Sequence, residues 1–367
     1  MRIAVLGTRG FPNIQGGVET HCQNLYPRLV DLGCEVVVFT RRNYGDKNLN
    51  DHKGVKLHAL PCVKNKYLET PLHTFLGILY LLRHRPDIVH FQAVGSALLI
   101  PMAKAMGLRV VFTTHGSNYR HRKWGIVSRI VLRMAEYLGA KFADEIISIS
   151  ATIAGELAKK YRRNSTIIPN GIEISSILQT DGILREHGLI RSKYVLSVGR
   201  LTPDKGFPDL IAAFQMADID GWKLVIVGQA DHPDKFSRRL EQLANQYNNV
   251  VLTGFLSGQP LKEIYSHAGL FVMPSYYEGM PLAFLEALSF GLSCIGSDIQ
   301  AHREMGLTDD RYFDPGDIDT LAKKIKYFSE KSFTADEKRA QIENVASKYN
   351  WDEIAGRTLE VYKEVVK

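Results

Sequence analysis

Two glutamates separated by seven residues stand in the last third of the chain, Glu278 in Ser275-Tyr-Tyr-Glu278-Gly279-Met280-Pro281-Leu282 and Glu286 among Phe284, Leu285, Ala287 and Leu288. A carboxylate in apolar company is costly unless it is paired or accepts hydrogen bonds, and sugar hydroxyls are suitable donors. The plainer alternative is a Glu turned outward on an amphipathic helix. Pro281 suits a first helical residue, because its missing N–H is an orphan there in any case. The N–H groups of Gly279, Met280 and Leu282 would then be free to donate to an anion or a hydroxyl. Upstream, Gly199-Arg200-Leu201 leads to Lys205-Gly206, a glycine-bounded loop with two cations. Arg offers a fork and Lys a point charge, which together suit a diphosphate. In the first half, Gly7-Thr-Arg-Gly10 is followed by Gly16-Gly17-Val-Glu19. Glycine lets backbone N–H groups approach a phosphate at a helix N-terminus, although glycines also simply make turns. The spacing is not Gly-x-Gly-x-x-Gly, and the next β-branched run ends Phe39-Thr-Arg-Arg42 without an acid, which argues against a dinucleotide cofactor.

These residues need a frame. Short β-branched runs alternate with helix-patterned stretches throughout: Ile3–Leu6, Glu35–Thr40, Ile88–Phe91, Arg109–Thr114 and Glu145–Ile149, then Tyr194–Val198, Lys223–Val227, Val250–Thr253, Leu270–Met273 and Ser293–Gly296. Continuous apolar runs mark strands buried on both faces, and their alternation with helices implies parallel sheets built by right-handed crossovers. The series restarts after Ile167-Ile-Pro169-Asn170-Gly171, so the expectation is α/β, with two Rossmann-like domains over 1–169 and 170–350 and a closing helix over 351–367. Ligands of such sheets bind beyond the carboxyl ends of the strands, which makes the cleft between two facing domains the expected site.

The residues also carry a family resemblance. The pair Glu278 and Glu286 is similar to the Glu-x7-Glu motif of the retaining GT-B glycosyltransferases numbered family 4. Gly16-Gly17-Val-Glu19 resembles that family's N-terminal glycine loop, Thr114-His115-Gly116 its cleft histidine and Pro169-Asn170-Gly171-Ile its interdomain connection. Gly199-Arg200-Leu201 with Lys205-Gly206 resembles its diphosphate loop, and Trp351 opens something like its C-terminal helix, which crosses back to the first domain. The opening Gly-Thr-Arg-Gly-Phe-Pro also looks like members that build bacterial surface polysaccharides, lipopolysaccharide among them. Cys34 stands where many members have His. The resemblance implies GT-B architecture across a deep cleft, with an acceptor-binding first domain and a donor-binding second. It implies transfer of a hexosyl group from a nucleotide-diphosphate sugar, with no cofactor and no metal. In that account Arg200 and Lys205 neutralise the diphosphate, helped by backbone at Gly16 and Gly17. Glu286 accepts from the ribose, Glu278 contacts the sugar, and the backbone of Gly279, Met280, Pro281 and Leu282 meets sugar hydroxyls or the β-phosphate. Phe255 lies near the base, His115 beside the sugar, and Asn170 at the interdomain connection.

Composition narrows the partners. The 367 residues include 45 % hydrophobic and 23 % charged, ordinary for a globular protein. Cys22, Cys34, Cys62 and Cys294 lie far apart, which fits a reducing compartment rather than a disulfide scaffold. The N-terminus lacks a signal-peptide apolar region, so the expected place is the cytoplasm. Residues 1–169 hold 24 Lys/Arg against 11 Asp/Glu, whereas the remainder holds 22 against 28. That asymmetry points the first half toward an anionic acceptor or the inner face of the membrane, or reflects uneven solvation. No basic-aromatic nucleic-acid motif occurs. Between Tyr119 and Phe142 there are six Lys/Arg and one Glu, with Val127, Val131, Met134 and Leu138 in one helical stripe, which suits either a membrane surface or core packing. Asp218-Ile-Asp220 and Asp317-Ile-Asp319 read as solvated loops rather than Mg²⁺ ligands. A nucleotide-sugar 2-epimerase and a non-catalytic sugar-nucleotide binding protein stand as the rival readings.

Overall fold

In a computed structural model of the chain, residues 1–44, 48–63, 65, 67–116, 125–174, 176–331 and 333–367 are described. The chain divides into two units, one of Met1–Gly171 with Asn350–Lys367 and one of Ile172–Tyr349. The first is built on strands β1 (Arg2–Leu6), β2 (Glu35–Arg41), β3 (Asp51–His52), β4 (Val55–Leu60), β5 (Ile88–Gln92), β6 (Val110–Thr114), β7 (Glu145–Ser148) and β8 (Thr166–Ile167). They lie in the order β3-β4-β2-β1-β5-β6-β7-β8, parallel except for the β3–β4 pair. All five residues of β5 and of β6 are buried, because helices cover both faces of the sheet, and this is why those runs are apolar or threonine except at His90 and Gln92.

The second unit holds β9 (Tyr194–Val198), β10 (Lys223–Val227), β11 (Val250–Gly254), β12 (Leu270–Met273), β13 (Cys294–Ser297) and β14 (Tyr312–Phe313). Their order, β11-β10-β9-β12-β13-β14, is the doubly wound arrangement in which strands add first on one side of the initial strand and then on the other. The direction of winding reverses between β9 and β12, and in the first unit between β1 and β5. In sheets of this kind the loops that flank such a reversal diverge, and ligands bind in the crevice they leave at the carboxyl edge. The two-residue β3, β8 and β14, and β4 with its polar Lys56 and His58, lack the long apolar runs that betray buried strands in a sequence.

Caps mark where helices begin. Ser150 accepts from the Ile153 amide to start Ala151–Tyr161, and Asn350 accepts from the amides of Asp352 and Glu353 to start Trp351–Val366. That last helix packs against helix Gly17–Asp31, with Trp351, Ile354, Ala355, Val361 and Tyr362 in one core with Leu25, Tyr26 and Leu29. The Asp-x-Asp triplets have structural explanations. Asp317 caps helix Ile318–Glu330 by accepting from the Thr320 amide at 3.0 Å, and Asp218 ends helix Phe207–Ala217 at the entry to β10, the opposite edge of the sheet from the strands' carboxyl ends. Among the described residues no cluster of three or more His, Cys, Asp or Glu could hold a metal, and no helix is long and apolar enough to cross a membrane.

Candidate active site

In the second unit the candidate residues gather on loops that leave β9 and β12 beside the winding reversal. Arg200 and Lys205 follow β9, and Glu278 and Gly279 follow β12. Lys205 Nζ donates to Glu278 Oε1 at 2.5 Å, and the Ser275 hydroxyl donates to the same oxygen at 2.6 Å. Burial opposes ionisation of Glu278, but the Lys205 charge and the two hydrogen bonds outweigh it and hold its carboxyl below the ordinary value. Arg200 donates to Asp231 Oδ2 at 2.8 Å from the loop after β10. The two loops are tied by backbone: the Tyr276 amide donates to the Asp204 carbonyl at 2.8 Å. Gly206 closes the 3-10 turn Pro203–Lys205 with φ +65°, and a Cβ there would lie 2.2 Å from the Pro274 carbonyl oxygen. Only glycine permits that approach, so Gly206 sets where Lys205 emerges.

Pro281 takes the N-cap position rather than the first helical one, and helix Leu282–Ser289 begins with Leu282. The cap carbonyl accepts from the Phe284 and Leu285 amides, and Met280 packs partly buried on the core. Glu286 lies in this helix and accepts one hydrogen bond from Tyr265 Oη at 2.8 Å. Burial pushes its pKa up to about 7, because a single hydroxyl donor does not replace the water a carboxylate loses. Phe255 directly follows β11, on the same carboxyl edge.

In the first unit the loop after β1 folds around an ion pair. Arg9 Nε lies 3.1 Å from Glu19 Oε1, and the Arg9 amide donates to the same oxygen at 3.1 Å. Burial works against the Glu19 charge, and Arg9 overcomes it. Gly16 caps helix Gly17–Asp31 with φ +146°, where a Cβ would lie 2.1 Å from Glu19 Oε2. His115 follows β6, and its Nε2 is 2.7 Å from Gln92 Oε1 at the end of β5. An amide oxygen only accepts, so His115 Nε2 carries the hydrogen and the neutral ring keeps Nδ1 as an acceptor. Burial, with His21 and His90 adding like charge were they protonated, holds His115 well below the ordinary histidine range.

His115 belongs to a buried chain of polar groups that local sequence reading missed. Gln92 Nε2 donates to Tyr26 Oη at 2.6 Å, and His90 meets Tyr362 Oη at 2.5 Å and Thr113 Oγ1 at 2.7 Å. The His21 ring stands edge-on to His115 at 5.0 Å and to Trp351 at 5.7 Å, and its Nδ1 lies 2.9 Å from Asn170 Oδ1. Burial brings His21 to about 4 and His90 to about 3, so all three rings are neutral at physiological pH. Asn170 thus holds His21. The only available sequence signal was position, since Gln92 ends one strand where His115 follows its neighbour.

The groupings are therefore Gly16, Gly17, His115 and Asn170 in the first unit, and Arg200, Lys205, Phe255, Gly279, Met280, Pro281, Leu282, Glu278 and Glu286 in the second. One difference from the expectation is chemical: each loop cation already faces a carboxylate, Lys205 with Glu278 and Arg200 with Asp231.

Known proteins resemble both halves. Residues 15–176 match the model described as Glycosyltransferase Family 4, and residues 183–349 match Glycosyl transferases group 1. An uncharacterised glycosyltransferase of Methanocaldococcus jannaschii is 27 % identical over 99 % of this chain and 98 % of its own. Alpha-maltose-1-phosphate synthase of Mycolicibacterium smegmatis is 24 % identical over the full length of both. Among solved structures, sucrose-phosphate synthase from Thermosynechococcus elongatus superposes with TM-score 0.85 at 22 % identity, over 99 % of this chain and 98 % of that one. Anabaena HepE in complex with UDP-glucose superposes with TM-score 0.82 at 18 % identity, over 99 % and 100 %. With two Rossmann-like domains of GT-B type and a family match in each half, the chain belongs to the group 1 glycosyltransferases.

Proposed function

We propose that the chain is a retaining, metal-independent glycosyltransferase that moves a hexosyl group from a nucleotide-diphosphate sugar to an anionic lipid-linked or saccharide acceptor. The product would serve cell-surface polysaccharide assembly. The observation that carries the donor assignment is the Lys205–Glu278 pair beside Arg200, on the two loops that flank the winding reversal of the second sheet. A diphosphate entering there takes the two cations as partners and releases Glu278 toward the sugar hydroxyls. HepE, the structural relative named above, was solved with UDP-glucose in place, which supports a nucleotide-sugar donor here.

The transition state of such a transfer is oxocarbenium-like, and negative charge grows on the departing phosphate. Preorganised cations at Arg200 and Lys205 stabilise that charge. In a front-face displacement the C1–O bond to phosphate breaks as the acceptor oxygen bonds to the same face of C1. The leaving phosphate takes the acceptor proton, so no protein base is needed. His115, neutral with Nδ1 as acceptor, would receive a hydrogen bond from a hydroxyl of the transferred sugar. Glu286 would accept from the ribose hydroxyls, Phe255 would lie near the base, and the backbone at Gly16 and Gly17 would add donors to the phosphates. The cationic surplus of the first half would draw in an anionic acceptor at the inner face of the cytoplasmic membrane.

The test is incubation with UDP-, GDP- and dTDP-sugars, with and without saccharide and lipid-phosphate acceptors, followed by NMR of the product's anomeric centre. Acceptor-dependent nucleotide release with the donor's configuration kept is the expected result. Inversion sinks the retaining mechanism, and epimerised sugar without acceptor sinks transfer.

A further inference from the structure

Two helices of the first unit are apolar on the side turned away from their own core. Helix Glu69–Leu81 buries His73, Thr74, Gly77, Ile78 and Leu81. Leu68, Leu72, Phe75, Leu79 and Leu82 recur at alternating four- and three-residue steps along and just beyond it, and all are exposed, Leu68 at 60 %. A surface helix has no folding reason for a second apolar stripe. Helix Ile126–Phe142 repeats the pattern. It buries Ala135, Glu136, Gly139 and Ala140 and exposes Ile126, Val127, Ile130, Val131, Met134 and Tyr137, the first two at 77 % and 75 %. Both helices pack through their buried faces into one core on the same side of the sheet, through Ile78 and Leu81 from one and Ala135 and Ala140 from the other. Single exposed leucines are ordinary, but two such stripes in one layer call for something to cover them.

Charge identifies what docks. Arg83 and Arg85 follow the first helix and are exposed, as are Arg129, Arg133 and Lys141 on the second. The only acids of the two helices are turned inward: Glu69 pairs with Arg41 at 2.8 Å, and Glu136 accepts from Tyr161 Oη at 2.7 Å. The outer faces thus offer apolar and cationic groups with no carboxylate among them, which is the chemistry of an interfacial helix on acidic lipid. A second copy of this chain would bring the same cations and repel. The residues 117–124 of the basic stretch lie outside those described.

We infer that this two-helix face docks on an anionic bilayer. The stripes Leu68–Leu82 and Ile126–Tyr137 enter the headgroup–acyl boundary, and the five cations meet lipid phosphates. The inference deepens the proposed use of an acceptor at the membrane by naming the surface that reaches it, and it does not depend on the chemistry of transfer.

The experiment sediments the whole chain with phosphatidylcholine vesicles, with or without phosphatidylglycerol, at low and high salt. Thermal stabilisation by UDP is followed in parallel as a separate report on the second unit. Wild type should bind the anionic vesicles and retain part of that binding at high salt, where screening removes the electrostatic share. The double variants Leu72→Ser/Phe75→Ser and Ile130→Ser/Met134→Ser should each weaken binding by roughly tenfold while unfolding at the wild-type temperature. Vesicle binding by both variants at the wild-type level overturns the inference. So does binding abolished by Arg129→Gln and high salt yet indifferent to the serine variants, which means electrostatic contact without insertion. Absence of vesicle binding together with self-association that the serine variants abolish also overturns it, in favour of a contact between copies. Vesicle binding lost in the serine variants supports it even if UDP fails to stabilise the protein, an outcome that would instead count against the donor site.

Discussion

Lys205 is bonded to Glu278, and in the proposed donor site a nucleotide diphosphate would share or take over that cation. On the proposed mechanism Lys205→Ala would remove charge that matters most as the glycosidic bond breaks, so its loss should fall on kcat, with ~2–4 kcal/mol at stake as for other preorganised electrostatic donors. Near-normal kcat in this variant removes the loop from the donor site. Glu286 gives a pH signature. Its pKa of about 7 exceeds the ordinary 4.5, so the folded protein holds a proton there that the unfolded chain releases. The resulting stability is complete below pH 4.5 and is lost as pH rises through about 7. If ribose hydroxyls need the ionised acceptor, nucleotide affinity climbs with pH up to about 7 and then levels. Glu286→Gln should abolish that slope and raise donor KM by the equivalent of about 1.5–3 kcal/mol. Calorimetric titration with UDP across the range reads the slope and steady-state kinetics the donor KM, and an unchanged slope in the variant rejects the role. At His115, nitrogen NMR should report protonation at Nε2, set by Gln92 2.7 Å away. Gln92→Leu should lower stability by about 1–3 kcal/mol, since it strips partners from His115 and Tyr26, and should blur the tautomer. A His115 already protonated at Nδ1 in wild type contradicts the assignment.

At the scale of elements, the site depends on how tightly one turn is pinned. The turn Pro203–Lys205 is tied to the loop after β12 through the Tyr276 amide and abuts it at Gly206. Gly206→Ala puts a side chain at positive φ and against the Pro274 carbonyl. The conformation alone costs roughly 1–2 kcal/mol, and the backbone contact adds to it. The expected result is a lower unfolding midpoint together with a loss of kcat larger than the stability loss explains, because Lys205 moves with the turn. Wild-type kinetics in this variant would show that the turn's placement does not matter. The C-terminal helix plays the matching part in the first unit: Trp351 starts it, and its ring meets His21, which in turn stands against His115. Trp351→Ala should destabilise by about 3–5 kcal/mol as a large buried side chain is lost.

At the scale of the molecule, charge is divided between the halves, with 24 Lys/Arg against 11 Asp/Glu before residue 170 and 22 against 28 after it. The cationic half carries the two helices with exposed apolar stripes, and the slightly acidic half carries the paired cations Arg200 and Lys205. That division gives each half its own assay. A donor nucleotide at 100 times its dissociation constant should add roughly 2.7 kcal/mol of stability, and comparing UDP, GDP and dTDP sugars in a thermal scan should single out the base. Equal response to all three would mean that the base is not read. With Asp317 occupied as a helix cap and Asp218 at the wrong edge of β10, activity should survive EDTA; loss that Mn²⁺ restores would show that a metal takes part after all.

Local chemistry was enough to read much of this from the sequence. The β-branched runs became β1, β2, β5, β6, β7 and β9 to β13, because strands buried on both faces must be apolar along their length. Glycines, cations and the Glu278–Glu286 pair lie in loops and one short helix, and it was their resemblance to the motifs of a known family, rather than their chemistry alone, that pointed to the glycosyltransferase class. What only the tertiary structure decided were pairings between residues far apart in the chain. Glu278 lies 73 positions from Lys205, Tyr362 lies 272 from His90, and Asn170 lies 149 from His21. Which face of helix Glu69–Leu81 is covered was also decided there, since a helix apolar on two sides reads as buried until its neighbours are known. Periodicity tells a residue that it must hide or be solvated. Only the crossing of strands and helices tells it beside whom, and the charge state of Glu286 and the tautomer of His115 both follow from that company.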